Sequence, residues 1–308
     1  MSDSIVVIGS SNVDLIMQLP RLPRPGETIS GGVFTQTYGG KGANQAVGAA
    51  RSGGQVTFVS CLGADGFAPD FIQNFQQDSI RTEYVFQIPE AATGTALIMI
   101  DAKGENCISV APGANHLLTR SHLRQAKEAI EQAAVILLQC ELHPATLRQV
   151  IELGDELNKP ILLNLAPAQA LEDDYLSKLH WLIVNESEAA MLTQMSVENM
   201  KDVQAAADLL IKKVGGGVII TLGAKGSYIV EKTHRQLVPA FSVNAVDTTA
   251  AGDVYCGSLA TALVEGKSTQ EAVRFASAAA AIAVTRLGAQ ASAPTRAEID
   301  QFLTEHTS

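Results

Sequence analysis

The chain has 308 residues, of which 46% are hydrophobic and 18% are charged, so it is long enough to bury a large core. A formal net charge of -10 and the lack of any Lys/Arg cluster argue against a nucleic-acid partner, which would need a basic face. The four cysteines (Cys61, Cys107, Cys140 and Cys256) form no Cys-x-x-Cys pair, which favours reduced thiols in the cytoplasm over a zinc site or a disulfide framework.

No segment predicts contact with a membrane. The first residues lack the basic region of a signal peptide, and the apolar run after them is only a short strand. The most apolar long segment, between Arg274 and Arg286, is shorter than the roughly 20 residues that cross a bilayer. We therefore expect a cytoplasmic protein with no membrane association.

Short apolar runs alternate with helical patterns along most of the chain. Continuous apolar runs predict strands that are covered on both faces, as in a parallel sheet. These runs lie at 5–8, 56–59, 134–138, 161–163, 181–184 and 218–220. Helical patterns occupy roughly 43–52, 121–133, 144–157, 186–193 and 201–213. The alternation predicts a layered α/β fold with a mostly parallel central sheet, in one domain that spans residues 1–308.

Two stretches, about 12–40 and about 92–112, have no helical period. In the second, two β-branched runs flank the turn around Gly104, which predicts a hairpin. Together the two stretches predict a small separate sheet that is either a lid over a site, a surface that pairs subunits, or a decorated edge of the main domain.

Polar motifs follow several of the predicted strands, where ligands bind in parallel sheets. Asn12 and Asp14 come after the first strand and, being two apart in an extended chain, face the same way. The segment Gly39–Ala46 enters a helix and is not a Walker A loop, because Gly42 rather than Ser or Thr follows Lys41. Each motif alone is also compatible with an ordinary polar turn, and for Asn12 and Asp14 taken alone such a turn is the better-supported interpretation.

Further motifs follow the later strands. Glu141 follows one strand, Asn185 and Glu188 follow the next but one, and the segment Thr221–Gly226 follows another. Asn185 with Glu188 also has the pattern of a helix capping box. The segment Asp247–Asp253 precedes a helix, where backbone amides and the helix dipole favour an anion; Asp253 there is either a helix cap or a base.

Taken together and in this order, these motifs resemble the ribokinase family of carbohydrate kinases over essentially the whole chain. The resemblance implies a three-layer α/β/α fold with a small β-sheet lid. It implies ATP as phosphoryl donor, Mg²⁺, and activation by a monovalent cation, usually K⁺. It also implies a homodimer that forms through the lid.

The resemblance implies roles for individual residues. The catalytic set would be Asp253 as the base with Ala250, Ala251 and Gly252 as an anion hole. The sugar contacts would be Asn12, Asp14, Gly40, Lys41, Asn44, Glu141 and Asp253. The nucleotide contacts would be Asn185, Thr221, Gly223, Gly226, Gly252 and Ser277. Glu188 would organise Mg²⁺ through water, and oxygen atoms of Asp247, Thr249, Ala283, Arg286, Gly288 and Ser292 would hold the monovalent cation.

The implied reaction is transfer of a phosphoryl group to the primary (5-)hydroxyl of D-ribose. Asn12 offers hydrogen bonds to a 2-hydroxyl, which favours ribose over 2-deoxyribose. Deoxyribose, fructose or a nucleoside such as adenosine remain alternatives, as does a catalytically silent sugar-binding protein. The chain departs from the family pattern at Val254-Tyr255-Cys256, at Ser277 and in residues 64–71.

Overall fold

The structure, a computed structural model, describes residues 3–306 and contains two β-sheets. The thirteen strands of this part of the chain are β1 (Ser4–Ile8), β2 (Asn12–Gln18), β3 (Val33–Gly39), β4 (Gln55–Gly63), β5 (Arg81–Ile88), β6 (Gly94–Ile100), β7 (Asn106–Ala111), β8 (Val135–Leu138), β9 (Ile161–Asn164), β10 (Trp181–Asn185), β11 (Gly217–Thr221), β12 (Ser227–Val230) and β13 (Arg235–Val238).

Eleven α-helices connect and cover these strands in the same described range. They are α1 (Lys41–Arg51), α2 (Ala68–Gln77), α3 (Arg120–Gln125), α4 (Lys127–Gln132), α5 (Pro144–Glu156), α6 (Asp173–Leu176), α7 (Glu186–Thr193), α8 (Met200–Leu210), α9 (Ala251–Val264), α10 (Thr269–Ala283) and α11 (Arg296–Glu305). Short 3-10 helices occupy Gly113–Leu117, Gly223–Lys225 and Gln290–Ser292.

The large sheet has nine strands in the order β13-β12-β11-β10-β9-β8-β1-β4-β5. Neighbouring strands pair in parallel except at one edge, where β12 is antiparallel to both β11 and β13. From β1 the chain first builds outward through β4 and β5, and it then returns to β8 and builds the other way. The carboxyl ends of β1 and β8 therefore flank the point where the strand order reverses, which is the usual place for a ligand in such sheets.

Helices cover both faces of the large sheet. Ile5 and Val7 of β1 join the core cluster that includes α1, α2, α9, α10 and α11, whereas Val6 and Ile8 join the cluster formed with α3, α4, α5, α7 and α8. Because successive side chains of a strand point to opposite faces, a continuous apolar strand such as β1 must be buried on both sides. The predicted three-layer α/β/α fold is confirmed.

The small sheet has four strands in the order β3-β2-β6-β7. β6 and β7 form the predicted antiparallel hairpin, and Gly104 in its turn has a positive φ. Asn12 and Asp14 lie in β2 with Val13 between them, so their side chains are on the same face of this sheet. The two predicted irregular stretches thus come together in one sheet.

Some elements differ from the sequence prediction. The single helix predicted at 121–133 is two helices, because the backbone leaves helical geometry at Ala126, where φ is -84° and ψ is 1°. The helix α2 and the strands β5, β12 and β13 were not predicted, since the strands are largely exposed at sheet edges or short. Within residues 3–306, no helix has the length and apolar character needed to cross a membrane.

Candidate active site

Helices α1 and α9 pack side by side, and two glycines allow their close approach. A Cβ on Gly257 would overlap the carbonyl oxygen of Gln45, and one on Gly48 would lie 3.1 Å from the Cα of Val254. The amino-terminal ends of both helices consequently lie near each other at the carboxyl edge of the large sheet. Their dipoles and free amides make this region favourable for negative charge.

Asp253 lies in the first turn of α9 and is 5% exposed. Its Oδ2 accepts a hydrogen bond of 3.1 Å from Nδ2 of Asn44, and its Oδ1 accepts one of 3.0 Å from Nε2 of Gln45. No side-chain cap is present at the start of α9. The carboxylate thus faces Asn44 and Gln45 of α1 and does not cap its own helix.

The first turn of α9 presents free backbone amides. Ala250, which precedes the helix, adopts a left-handed conformation with φ of 57°. Within residues 3–306, the amides of Ala250, Gly252 and Asp253 have no hydrogen-bond partner, whereas that of Ala251 donates to the Thr248 carbonyl at 3.3 Å. A Cβ on Gly252 would meet no atom within 4 Å, so open space lies in front of this turn. Three of the four amides are therefore available to an anion.

Asn12 and Asp14 are held in defined environments. The Oδ1 of Asn12 accepts a hydrogen bond of 2.7 Å from Nδ2 of Asn115, a buried residue that the sequence analysis did not select. This bond occupies the oxygen and leaves the Asn12 amide NH₂ as the group available to a ligand. Burial, with the charges of Glu141 and Asp253, raises the pKa of Asp14 to about 7.

Lys41 and Glu141 lie beside these residues. Oε2 of Glu141 accepts hydrogen bonds from Oγ of Ser10 at 2.5 Å and from the backbone amide of Lys41 at 2.9 Å, so Glu141 anchors the start of α1. The Asp253 carboxylate raises the pKa of Lys41, and Glu141 and Glu188 raise it further, against the effect of burial. Lys41 therefore brings a positive charge to a group of carboxylates.

The start of α1 carries a buried acceptor without a partner and a glycine that its close surroundings require. The buried Oδ1 of Asn44 has no hydrogen-bond partner in the described chain. Gly40 has φ of 89°, and a Cβ there would overlap the backbone of Ser11 and Asn12. A buried acceptor without a partner is unfavourable unless a ligand or water donates to it.

A cavity of about 450 Å³ lies on the other side of Gly252. Its walls are mostly apolar and include Ala240, Phe241, Val243 and Val284. Five of the predicted nucleotide contacts line it: Thr221, Gly223, Gly226, Gly252 and Ser277.

Asn185 and Glu188 form a capping box at the start of α7. The Asn185 amide donates to Oε2 of Glu188, and the Glu188 amide donates to Oδ1 of Asn185, both at 2.8 Å. The helix capping box, which was one of the two interpretations of this pair from the sequence, is therefore present. Asn185 is not among the residues that line the cavity. Burial raises the pKa of Glu188, against the effects of the Asn185 amide and Lys41.

The predicted cation ligands lie in two loops that meet. Oδ1 of Asp247 accepts from the Thr249 amide and Oδ2 from the Gly288 amide, each at 2.9 Å. These hydrogen bonds lower the pKa of Asp247 even though burial would raise it. The remaining predicted ligands occupy the second loop and its flanks: Ala283, Arg286 and Ser292. Among residues 3–306, no group of three or more His, Cys, Asp or Glu side chains could hold a metal.

Sequence reasoning missed several polar residues of this site. Gln45, Gln139 and Asn164 form a buried hydrogen-bond network with Asp253. Gln139 follows β8 directly, so the argument from strand ends that selected Glu141 could also have selected it. Gln45 is a polar residue on a helix face that is otherwise buried in the core, and a polar residue in such a place can also be recognised as a candidate site residue from the sequence.

Known proteins are similar to this chain over almost its whole length. Residues 2–296 match the family model described as pfkB family carbohydrate kinase. A ribokinase of Haemophilus influenzae is 40% identical over 306 residues, covering 99% of this chain and 100% of that protein. A deoxyribokinase of Salmonella typhi is 37% identical over 300 residues, covering 97% and 98%. The structure of Arabidopsis thaliana ribokinase complexed with ribose and ATP superposes with a TM-score of 0.91 at 31% identity, covering 98% of this chain and 99% of that one.

Proposed function

The chain belongs to the pfkB family of carbohydrate kinases, and we propose that it transfers the γ-phosphoryl group of ATP to the 5-hydroxyl of D-ribose. The observation that carries this proposal is the position of Asp253. Its carboxylate is bonded to Asn44 on the polar side of the site, while the neighbouring Gly252 lines the apolar cavity. A group at that junction can reach both a sugar hydroxyl and a phosphate.

In this mechanism, Asp253 accepts the proton of the attacking hydroxyl as the oxygen approaches phosphorus. The free amides of Ala250 and Gly252, at the positive end of α9, stabilise the negative charge of the transferred group. Phosphoryl transfer depends mostly on such positioning and charge stabilisation, and a base typically adds about 10² to 10⁴-fold.

Asn12 and Asp14 would select the sugar. Asn12 presents a donor, because Asn115 occupies its oxygen, and Asp14 presents acceptor oxygens when ionised. A donor that is held in place binds a sugar hydroxyl well and is left unpaired when that hydroxyl is missing. This supports ribose over 2-deoxyribose, although a deoxyribokinase is also a relative.

The nucleotide would occupy the apolar cavity, whose glycines and Ala-rich walls suit a flat base. Glu188 fits a role in holding Mg²⁺ through water, because Oε2 is occupied by the Asn185 amide while Oε1 accepts no hydrogen bond in the described chain. When bound, Mg²⁺ would neutralise phosphate charge.

The two loops around Asp247 fit a monovalent cation such as K⁺. Within residues 3–306, the carbonyl oxygens of Thr249, Arg286 and Gly288 accept no hydrogen bond, and they lie in the same loops as the Asp247 carboxylate. Such oxygen atoms are the ligands that hard cations prefer. When bound, the cation would hold the loop that leads into α9.

We further propose a homodimer that forms through the small sheet, which would also act as the lid. Several large apolar side chains of this sheet are more than half exposed, among them Phe34 at 57%, Leu97 at 54% and Val110 at 55%. Exposed apolar groups that are concentrated on one small element are typical of an interface.

The four cysteines are all unpaired, which supports a reducing compartment such as the cytoplasm.

An assay of ADP release tests the proposed reaction. We expect turnover with D-ribose to exceed that with 2-deoxyribose, fructose and adenosine, and to rise when K⁺ is added. Higher kcat/KM for another sugar or a nucleoside would replace ribose as the substrate. Sugar binding by calorimetry without any ADP release would instead identify a silent binding protein.

Light scattering tests the dimer. We expect the wild-type mass to be twice that of the chain and the variant Phe34→Glu to be monomeric. The exposed Leu209→Glu on α8 is the matched control and should leave the mass unchanged. A wild-type monomer would contradict the proposed dimer.

A further inference from the structure

Two glutamines next to the site are completely buried but have no role in the mechanism described above. Gln45 in α1 and Gln139 after β8 both have 0% exposure. Burying an amide is costly unless its donors and acceptor are hydrogen-bonded. Their place beside Asp253 therefore calls for a reason other than packing.

A hydrogen bond joins the two glutamines, with Gln139 as the donor and Gln45 as the acceptor. Nε2 of Gln139 donates to Oε1 of Gln45 at 2.7 Å. Since the Gln45 oxygen accepts this bond, its NH₂ group must face the other way, toward Asp253. There it donates to Oδ1 of Asp253 and to Oδ1 of Asn164, both at 3.0 Å.

Asn164 supports the same orientation. Its Nδ2 approaches the Ile183 carbonyl at 3.4 Å, which leaves its oxygen for Gln45. Both N–H bonds of the Gln45 amide are thus used, one on Asn164 and one on the carboxylate. A flipped Gln45 amide would place its oxygen against two acceptors, so this network favours one orientation only.

The backbone of the site makes room for Gln139. A Cβ on Gly9, directly after β1, would overlap the side-chain oxygen of Gln139. The contact couples the end of β1 to the end of β8, the two strands at the point where the strand order reverses. The glutamine pair is therefore built into the centre of the site.

We propose that Gln139 and Gln45 form an amide relay that orients the carboxylate of Asp253 for proton transfer. This inference rests on the proposed role of Asp253 as the base. Asn44 and Gln45 each bind one oxygen of the carboxylate, which together fix both its position and its plane. Gln45 and Gln139 are positioning residues, because both are sealed from solvent and act through Asp253.

The first test is Gln45→Met, which keeps the shape of the side chain and removes both hydrogen-bonding groups. We expect kcat to fall about 10 to 100-fold, because a small misplacement of a reacting group costs that much. The Kd values for ribose and ATP, measured by calorimetry, should change less than about threefold. Unchanged kcat per folded molecule with a lowered Tm would show a purely structural role and overturn the proposal.

The second test is Gln139→Met, which leaves Gln45 in place and removes the bond that orients it. We expect a smaller loss of kcat, about three to tenfold, since the Gln45 amide is then held only by Asp253 and Asn164 and its position is less well fixed. This variant keeps the proposal testable if Gln45→Met does not fold. A normal kcat in Gln139→Met would exclude the relay.

The third test combines Gln45→Met with Asp253→Asn. If Gln45 acts only through Asp253, adding Gln45→Met to Asp253→Asn should change the residual kcat less than about twofold. If the loss of kcat in the double variant equals the product of the losses in the two single variants, the proposal is overturned.

Ser258→Ala is the matched control. Ser258 is also buried in α9 and shares a 2.7 Å hydrogen bond with Ser52, but that pair does not contact Asp253. Loss of the hydrogen bond between Ser258 and Ser52 should lower Tm and leave kcat unchanged. A normal kcat in Gln45→Met beside an inactive Asp253→Asn would refute the relay alone. Near-normal turnover of Asp253→Asn would refute the role of Asp253 as the base, on which the relay rests. The proposed function itself would be refuted if the wild type released no ADP with any of the sugars.

Discussion

The two sides of the site, which we propose bind the sugar and the nucleotide, are built differently. On the sugar side, Asn12, Asn44 and Asp253 are each bound to a buried polar partner through side-chain hydrogen bonds. On the nucleotide side, the cavity is lined mostly by small and apolar residues. There the buried hydroxyl of Ser277 has no hydrogen-bond partner, and that of Tyr255 lies near Ser227 without a hydrogen bond of good geometry.

This difference suggests a division of tasks. A network of hydrogen-bonded side chains holds each group in one geometry and penalises a ligand that lacks the matching group. An apolar wall contributes contact area but discriminates weakly between ligands of similar shape. We therefore expect substitutions on the sugar side to change turnover and selectivity strongly, and those on the nucleotide side to have small effects.

The largest effect is expected for Asp253→Asn. The variant keeps the shape of the side chain but removes the base, so kcat should fall at least about 10²-fold. Tm should change little. Steady-state kinetics would measure this, with Asp300→Asn as the control, because Asp300 forms only a surface ion pair with Arg296. Near-normal turnover in Asp253→Asn would contradict its assigned role.

Asn12→Ala should have the next largest effect. Removing the donor should raise KM for ribose about 10-fold or more, as expected for the loss of one or more hydrogen bonds. KM for ATP should stay the same, and the preference for ribose over 2-deoxyribose should disappear. Gln301→Ala, which removes an exposed hydrogen bond to Glu305 within α11, provides the comparison. An unchanged sugar preference would remove Asn12 from the site.

The pKa of Asp14 predicts how stability depends on pH. In the folded protein this pKa is raised from 3.8 to about 7, mainly by burial. The folded state thus holds the proton more tightly, so the stability that the neutral carboxyl contributes is complete below pH 3.8 and is lost as pH rises through 7.

Asp14→Asn should remove this dependence. We expect the Tm of the variant to exceed that of the wild type by roughly 2 °C or more at pH 8, and by less at pH 5. Its affinity for ribose should be weaker, because the amide offers one acceptor fewer. Thermal unfolding at both pH values measures the effect, and equal differences at the two values would show that Asp14 is not the group that titrates.

The smallest effect is expected for Tyr255→Phe on the nucleotide side. Burial raises the pKa of this hydroxyl, so the group is neutral throughout the working range of pH. Because it makes no good hydrogen bond, its removal should change KM for ATP less than about threefold and leave Tm equal or higher. A large rise in KM would show that the cavity discriminates through polar contacts after all.

Much of the fold could be predicted because its signals are local. Continuous apolar runs such as 5–8 and 218–220 became buried parallel strands, and the hairpin around Gly104 formed as its turn indicated. The break at Ala126 was not predicted, since the helical period continues through it. Edge strands such as β13 were missed because a half-exposed strand of four residues has too weak a pattern.

The site was predicted in part. Strand ends and helix starts can be recognised in the sequence, which is why Asn12, Asn44 and Asp253 were selected, and the structure brings Asp253 and Asn44 into contact. Partners such as Gln45, Gln139 and Asn115 were not selected. A buried amide gains its role only from what it faces, and nothing local to Gln139 indicates that it will face Gln45.

The sequence alone determined most of the buried strands, several of the helices and the chemical groups that stand at their ends, because these depend on periodicity and on neighbours in the chain. Only the tertiary structure decided how those groups are paired. Gln45 and Asp253 are 208 residues apart and meet because α1 and α9 pack together through their glycines. Long-range packing therefore turned a set of polar residues into an oriented site.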